Sequence, residues 1–133
     1  MRLNGRAVRL LGTSFVAMSV ACGGPACTAV QCTSGVRIVV EPSMAPMLSG
    51  AAVSLCVDEQ CTTQVLTTNA ALVTADFPIA SEGARRVHLT VADLDVETDG
   101  RFARVSPNGQ SCRPVCYISQ LTLTQRQGLV PRA

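Results

Sequence analysis

Cysteine placement is the feature that most constrains what this chain of 133 residues can fold into. There are seven cysteines, and six of them form three close pairs in the sequence: Cys27 and Cys32, Cys56 and Cys61, and Cys112 and Cys116. Three close pairs predict three disulfide bridges and therefore an oxidising compartment. The seventh cysteine, Cys22, needs a separate explanation, because an odd cysteine in an exported protein is either intermolecularly paired or modified.

Bridge connectivity is open at the level of sequence. Local pairing within each close pair is the simplest arrangement, and each short loop would contribute about 2 kcal/mol of stability. The alternative is that Cys27 or Cys32 attaches the N-terminal arm to Cys112 or Cys116. A zinc site is disfavoured by the wide spacing and the oxidising compartment. We expect local pairing most strongly for the second pair.

The first 21 residues have the pattern of a secretory signal peptide. Arg2, Arg6 and Arg9 give a positive start, residues 10–21 are largely apolar, and small residues precede Cys22. Twelve residues are too few for a spanning helix, which needs about 20. Residues 1–21 are therefore predicted to be a removable signal.

Two outcomes are possible at the cleavage site. Ser19-Val20-Ala21-Cys22 resembles the lipobox of bacterial lipoproteins, in which the cysteine is acylated, for example with palmitate, and becomes the first mature residue. Ser19 departs from that motif, where Leu is usual. The alternative is ordinary cleavage after Ala21 and free secretion. Lipidation would explain the odd cysteine, and residues 22–34 would then form the anchor and tether.

Composition excludes several functions. Without the three leader arginines, eight arginines face nine acidic residues, so no basic surface for nucleic acid is expected. Three Phe, one Tyr and no Trp argue against aromatic stacking platforms. No motif calls for a cofactor.

Residues 35–133 are predicted to be all-β. Short runs of β-type residues separated by turn signals are expected at 35–41, 52–57, 61–67, 71–77, 86–92, 102–105 and 117–124. Asp99-Gly100 is a hairpin signal, and residues 44–50 are predicted to be a loop. About seven antiparallel strands suggest one disulfide-stapled sandwich of immunoglobulin-like or transthyretin-like type.

The register of the second and third strands is ambiguous. Placing Cys56 opposite Cys61 puts Val53 opposite Gln64, whereas a shift by one residue places it opposite Val65 and separates the cysteines. A bulge or a crossing between sheets would reconcile the two requirements.

The acidic residues Asp93, Asp95, Glu97 and Asp99 alternate along the chain. Their spacing partly matches a calcium loop, but Ser106 stands where a bidentate Glu is expected. They are weak calcium candidates. The other interpretation is a solvated acidic strand face that discourages aggregation.

No catalytic constellation is present. His88 is the only histidine and is expected on an exposed strand face, without a matched nucleophile. Arg85 and Arg86 could hold an anion but are more typical of a solvated surface. The sequence predicts a protein that is not an enzyme.

Three segments together look like small, uncharacterised lipoproteins of high-GC, actinobacterial type: the leader with Cys22, the head at 27–36 and the tail at 107–116. The resemblance implies an exported protein at the outer face of the cell membrane, held by its lipid. The resemblance does not imply an activity. The first functional hypothesis is a non-enzymatic binding or structural module, with an envelope protein as a possible partner. The alternative is a secreted domain that binds calcium or a small ligand through the acidic strand.

Overall fold

The computed structural model describes Cys27, residues 30–67 and residues 71–132. This part of the chain forms eight strands and one short helix. The elements are β1 (Gly35–Val40), α1 (Ala45–Leu48), β2 (Ala52–Val57), β3 (Gln60–Val65), β4 (Leu72–Asp76), β5 (Gly83–Val91), β6 (Leu94–Val105), β7 (Cys116–Thr124) and β8 (Gly128–Pro131). The all-β, disulfide-stapled class predicted from the sequence is confirmed.

The strands follow the order β3-β2-β5-β6-β7-β1-β4, and β8 also pairs with β7. All pairs are antiparallel except β1 with β7, which run parallel. The long strand β6 pairs with β5 along residues 94–102 and with β7 along residues 103–105. It therefore joins a β3-β2-β5 layer to a β7-β1-β4 layer.

The core lies between these layers and is built by period-two alternation. On β5, Val87 and Leu89 are fully buried, whereas the intervening His88 is half-exposed. The opposite layer supplies side chains of the same kind. The fully buried apolar residues from both layers include Val36, Ile38, Val53, Leu55, Val73, Phe102, Leu121 and Leu123. The core is therefore filled mainly by aliphatic side chains, since the chain has few aromatic residues.

The two terminal strands of this order, β3 and β4, lie close to each other. The side-chain amide Nε2 of Gln64 on β3 donates to the carbonyl oxygen of Thr74 on β4 over 3.0 Å. This contact brings the sheet close to a closed barrel.

The hairpin expected at Asp99-Gly100 is wrong. Both residues lie within β6, and the chain reverses at Ala92 and Asp93, where Ala92 has a φ of 47°. Gly100 is required for close approach instead: a Cβ there would lie 2.7 Å from Val87 Cγ2. A glycine that permits tight packing has the same sequence signature as a glycine in a turn.

The register of β2 and β3 follows the first of the two alternatives. Cys56 lies opposite Cys61 and Val53 opposite Gln64, with no bulge between them. Val65 is consequently 70% exposed at the edge of the sheet. The observed register therefore satisfies the pairing of Cys56 with Cys61 and leaves Val65 exposed.

Two elements were absent from the prediction. Residues 45–48, expected within a loop, form the single turn α1, which buries Leu48. Strand β8 follows a tight turn after β7 and ends at Pro131. No helix in the described part of the chain is long and apolar enough to cross a membrane.

Bridge connectivity corrects the simplest expectation. The local bridge Cys56–Cys61 is present, as predicted. Cys27 bonds to Cys112 and Cys32 to Cys116, so local pairing of these four cysteines is wrong and the alternative, an arm attached to the distant tail, is right. The physical reason is topological: β1 pairs with β7 in parallel, which brings the segments before the two strands to the same end of the sheet.

Candidate functional site

Two disulfide bridges define one end of the molecule, which we call the stapled end. It comprises Cys27, residues 30–34 and the connection between β6 and β7, residues 106–115. Cys112 and Cys116 are each only 2% exposed, whereas Cys27 is exposed and Cys32 is half-buried, so each bridge joins a buried cysteine to a more accessible one. This end is where the chain enters the domain.

Asn108 reinforces the stapled end by hydrogen bonding. Its Nδ2 donates to the carbonyl oxygens of Val30 and Arg113, both over 2.9 Å. Its Oδ1 accepts from the backbone N–H of Val30 over 3.1 Å. Nearby, Ser34 Oγ accepts from the backbone N–H of Tyr117 over 2.9 Å. The N-terminal arm is therefore held by side chains in addition to its sulfurs.

A groove of about 370 Å³ opens on the outer face beside this end. Ala103 and Val105 of β6 and Ile118 of β7 line it, while Arg101 and Arg132 flank it. Val105 lies directly opposite the bridged Cys116, and Ala103 opposite Ile118. We call this the arginine groove. Its floor is largely apolar and its charged groups are both cationic.

A second hollow of about 330 Å³ is lined by Arg104, Arg113 and Tyr117, among others. Arg104 and Tyr117 form a cross-strand pair that alternates with the groove residues Ala103, Val105 and Ile118, so this hollow lies on the other face of the sheet. The Nη2 of Arg104 donates to the carbonyl oxygen of Gln110 over 3.2 Å, which orients this guanidinium. No carboxylate lines either hollow among the described residues. Glu82 is a nearby acid, and its Oε1 accepts from the backbone N–H of Arg104.

The acidic residues predicted to share a strand face lie elsewhere, on the outer face of β5 and β6. Arg86 donates to Glu97, and its Nη1 donates to Asp99 Oδ1 over 3.2 Å. The hydrogen bond from Arg86 lowers the pKa of Glu97 below its ordinary value, and the Glu97 and Asp99 carboxylates raise the pKa of Arg86. Arg86 is thus part of an ion-paired ladder.

The calcium candidates are not gathered into a cage. Asp93 lies in the turn before β6, while Asp95, Glu97 and Asp99 lie along the strand. Within the described ranges, no group of three or more acidic, histidine or cysteine side chains could hold a metal ion. Glu97 and Asp99 form ion pairs with Arg86 instead.

His88 lies on the half-exposed face, as expected, and its Nε2 contacts Asp95 Oδ1. Cys56 is its neighbour on β2, but that sulfur is bonded to Cys61 and cannot act as a thiol nucleophile. His88 and Asp95 therefore have no nucleophile on the neighbouring strand β2 with which to form a catalytic triad.

Arg85, the other arginine of the pair, lines a hollow of about 330 Å³ together with Asp58 and Glu59. Its Nη2 donates to Ser81 Oγ over 3.2 Å, and its Nη1 lies 3.7 Å from Asp58 Oδ2. Two carboxylates beside one arginine make this hollow a poor anion site, in contrast to the arginine groove.

Sequence reasoning did not find Arg101 or Arg132. The alternation of Arg101, Ala103 and Val105 carried part of the signal, since such a run places one cation and two apolar side chains on one face. The other flank could not be found without recognising β8, which positions Arg132 next to Gln120.

No family model, curated protein or solved structure matches this chain. The predicted signal peptide at residues 1–21 and the predicted lipidation site Cys22 lie outside the described residues. Both therefore stay predictions.

Proposed function

We propose that this protein is exported, is anchored by a lipid on Cys22 to the outer face of the cell membrane, and acts there as a non-enzymatic binding or structural module. The observation that carries the proposal is the complete use of the other cysteines. Three bridges take six of the seven cysteines, and Cys22 is the one that no bridge needs. Acylation gives the remaining thiol a role.

The bridges also support an extracytoplasmic location. Disulfides form and persist in oxidising compartments and are rare in the reducing cytosol. Two of these bridges are long-range and close more than eighty residues each. Export, which the predicted signal peptide at residues 1–21 would direct, would bring the chain to a compartment where these bridges can form.

The position of the first bridge makes anchoring through Cys22 a short connection. Cys27 is bonded into the stapled end, five residues after Cys22. Even a fully extended chain of five residues spans at most about 18 Å. A lipid on Cys22 would hold the stapled end close to the bilayer rather than at the end of a long tether.

The strand order favours the transthyretin-like arrangement over the immunoglobulin-like one. An immunoglobulin domain places its second and third strands in opposite sheets. Here β2 and β3 form a hairpin within one layer, and β1 pairs with β4 and β7 in the other. A scaffold of this kind presents two outer faces for binding.

Intact-mass spectrometry of protein purified from envelopes of the expressing cells tests the proposal. The expected mass is that of a chain beginning at Cys22 with added acyl groups, and reduction should add the mass of six hydrogens. A Cys22→Ser variant should lose the acyl mass and leave the membrane fraction. A wild-type chain found without acyl groups in the medium would reject the lipid anchor.

The matched control is Cys61→Ser, which breaks the bridge at the β2–β3 hairpin and leaves Cys56 as a free thiol. This variant should keep its acyl groups and its membrane location, because only Cys22 is proposed to carry lipid. Loss of membrane association in both variants would indicate misfolding rather than a missing anchor.

A further inference from the structure

We infer that the Cys56–Cys61 bridge is a thiol–disulfide exchange site for a dithiol, and that His88 stabilises the Cys56 thiolate which this exchange releases. The site lies on the outer face of β2, β3 and β5. It adds a redox reaction to the proposed binding or structural role, and it does not depend on the lipid on Cys22.

Strand register places the three side chains of this site in one row. Cys61 on β3 lies directly opposite Cys56 on β2, and Cys56 lies directly opposite His88 on β5. Residues paired in this way point to the same face of a sheet, with their Cβ atoms about 5 Å apart. Leu55 and Val57, the neighbours of Cys56 in sequence, are buried, so the row lies on the outer face. The imidazole of His88 therefore flanks the bridge.

Exposure distinguishes this bridge from the other two. An attacking thiolate bonds to one sulfur of a disulfide and expels the other, and a better stabilised thiolate leaves faster. Attack on Cys61, which is exposed, expels Cys56, which is half-buried on the outer face. Attack on the accessible sulfur of either long-range bridge would expel Cys112 or Cys116, each only 2% exposed. Burial disfavours a thiolate, so exchange at those two bridges is slow.

The charged groups around His88 fit this role. The Nε2 atom of His88 contacts Asp95 Oδ1, so Nδ1 is the ring nitrogen that remains to donate to Cys56. Glu97, which lies opposite His88 on β6, already forms an ion pair with Arg86. Asp95 thus orients the imidazole, while the positive charge of Arg86 offsets the negative charge of Glu97. A protonated His88 can then stabilise the Cys56 thiolate and give it a proton.

The rest of the fold tolerates opening of the bridge. The two cysteines are only five positions apart, so reduction restores little chain entropy to the unfolded state. Strands β2 and β3 are paired over six residue pairs, and the pairing continues beyond them. The backbone N–H of Leu66 donates to the carbonyl oxygen of Ala51 over 3.0 Å, and that of Gly50 donates to Leu66 over 2.9 Å. The reduced protein is therefore expected to stay folded, as a reversible exchange requires.

The exchange takes two steps. A thiolate of the dithiol forms a bond to Cys61 Sγ, the Cys56–Cys61 bond breaks, and its electron pair leaves on Cys56 Sγ, which accepts a proton from His88. The second thiol of the dithiol loses its proton to water and attacks the first sulfur of the dithiol. Cys61 then leaves with the electron pair and takes a proton from water. The bridge gains two electrons and two protons, and the dithiol becomes a disulfide.

The test uses the full chain with Cys22→Ser, exported so that the leader is removed, because no unpaired cysteine then remains. The folded protein is treated with dithiothreitol, quenched at intervals with N-ethylmaleimide, and mapped by peptide mass spectrometry. We expect alkylation of Cys56 and Cys61 about tenfold faster than that of the other four cysteines. His88→Gln should slow it about tenfold, because the leaving Cys56 then lacks a neighbouring cation and proton donor.

Two further variants separate the charge of His88 from its packing. His88→Arg keeps a cation beside Cys56 and should restore the rate to within about threefold of the parent. Thr90→Ala is the matched control, since Thr90 lies on the same face of β5 opposite Ser54, and it should leave the rate unchanged.

Alkylation of Cys112 or Cys116 as fast as that of Cys61 would overturn the exchange site. An unchanged rate in His88→Gln, or a rate in His88→Arg as low as in His88→Gln, would overturn the role of His88. The acyl chains take no part in this test, so its failure would leave the proposed anchor standing. Absence of acyl groups on wild-type Cys22 would reject the anchor alone.

Discussion

Asn108 and Val30, separated by 78 residues in the chain, are joined by two hydrogen bonds that reproduce the pairing of neighbouring strands. The asparagine side chain offers a donor and an acceptor to the backbone of the N-terminal arm. Because Asn108 is nearly buried, its amide has little access to water and depends on these partners. The arm is therefore specified by a side chain as well as by two bridges.

Replacing Asn108 by Ala should destabilise the protein by about 2–4 kcal/mol, because backbone groups of Val30 and Arg113 lose their partners. Urea unfolding under non-reducing conditions measures the change. Asn108→Asp places a carboxylate oxygen against the carbonyl oxygens of Val30 and Arg113 and should cost at least as much as Asn108→Ala. Gln110→Ala, an exposed change on the same connection, is the control and should alter stability by less than about 0.5 kcal/mol.

Crossed bridges should give a non-additive response. Removing either Cys27–Cys112 or Cys32–Cys116 by paired Ala substitutions leaves the other to close most of the chain, so each loss should cost about 3 kcal/mol. Removing both should cost about 7 kcal/mol, because the long loop is then also released. Urea unfolding of the three variants measures this. Costs that simply add would contradict the chain-entropy account.

The bridge Cys56–Cys61 provides the comparison. Its loop is short, since the two cysteines are only five positions apart and face each other across a two-residue turn. The pair Cys56→Ala and Cys61→Ala should cost about 2 kcal/mol. A larger loss than for both crossed bridges together would show that loop length does not decide the ranking.

Gly100 and Ser119 form a tight contact in the core. A Cβ at Gly100 would approach Ser119 Oγ to 2.8 Å, so Gly100→Ala should destabilise by about 1–3 kcal/mol. Ser119 is 1% exposed, and its hydroxyl has no hydrogen-bond partner among the residues that the structure describes. Ser119→Ala should therefore raise stability by about 1 kcal/mol. Thermal unfolding measures both, and Ser54→Ala on the half-exposed face should change little. A clear loss for Ser119→Ala would indicate an undetected partner.

Acidification should weaken the contribution of Glu97. Folding lowers the pKa of this carboxyl through the hydrogen bond from Arg86, so its stabilisation is present above the ordinary pKa of about 4.5. It is lost as the pH falls from that value through the lowered pKa of the folded state. The melting temperature between pH 7 and pH 3 should fall less steeply in Glu97→Gln than in wild type.

Glu59→Gln in the β2–β3 turn is the control for this titration. Because Glu97 is exposed, salt should reduce the difference between Glu97→Gln and wild type. Identical pH profiles for Glu97→Gln and wild type would mean that the Arg86 contact contributes nothing in solution.

The part of the fold that could be predicted from the sequence was the strands with regular alternation of apolar and polar residues. The runs that contain Val53 and Leu55, or Val87 and Leu89, predicted strands because one face must be buried, and the structure has β2 and β5 there. The run at 102–105 was only half of β6. A local glycine signal overrode the strand pattern at Asp99-Gly100, although tertiary packing explains that glycine.

The candidate site was less accessible to sequence reasoning. Arg101 and Arg132 are 31 positions apart: Arg101 lies in β6, and Arg132 directly follows β8. The two strands contact each other only in the tertiary structure. A short strand that ends at Pro131 gives little periodic signal, so Arg132 could not be placed on a face. The acidic residues at 93–99, by contrast, were proposed as calcium candidates because they lie close together in the sequence.

By itself, the sequence determined the chemistry of the interior. Period-two hydrophobicity required a β fold, six paired cysteines required bridges, and the leader predicted export with Cys22 as a lipid site. Only the tertiary structure decided which cysteines form each bridge and that Arg101 and Arg132 flank the same groove. Parallel pairing of β1 with β7 brings Cys27 and Cys32 to Cys112 and Cys116. These relationships depend on contacts between residues distant in sequence, which local propensity does not encode.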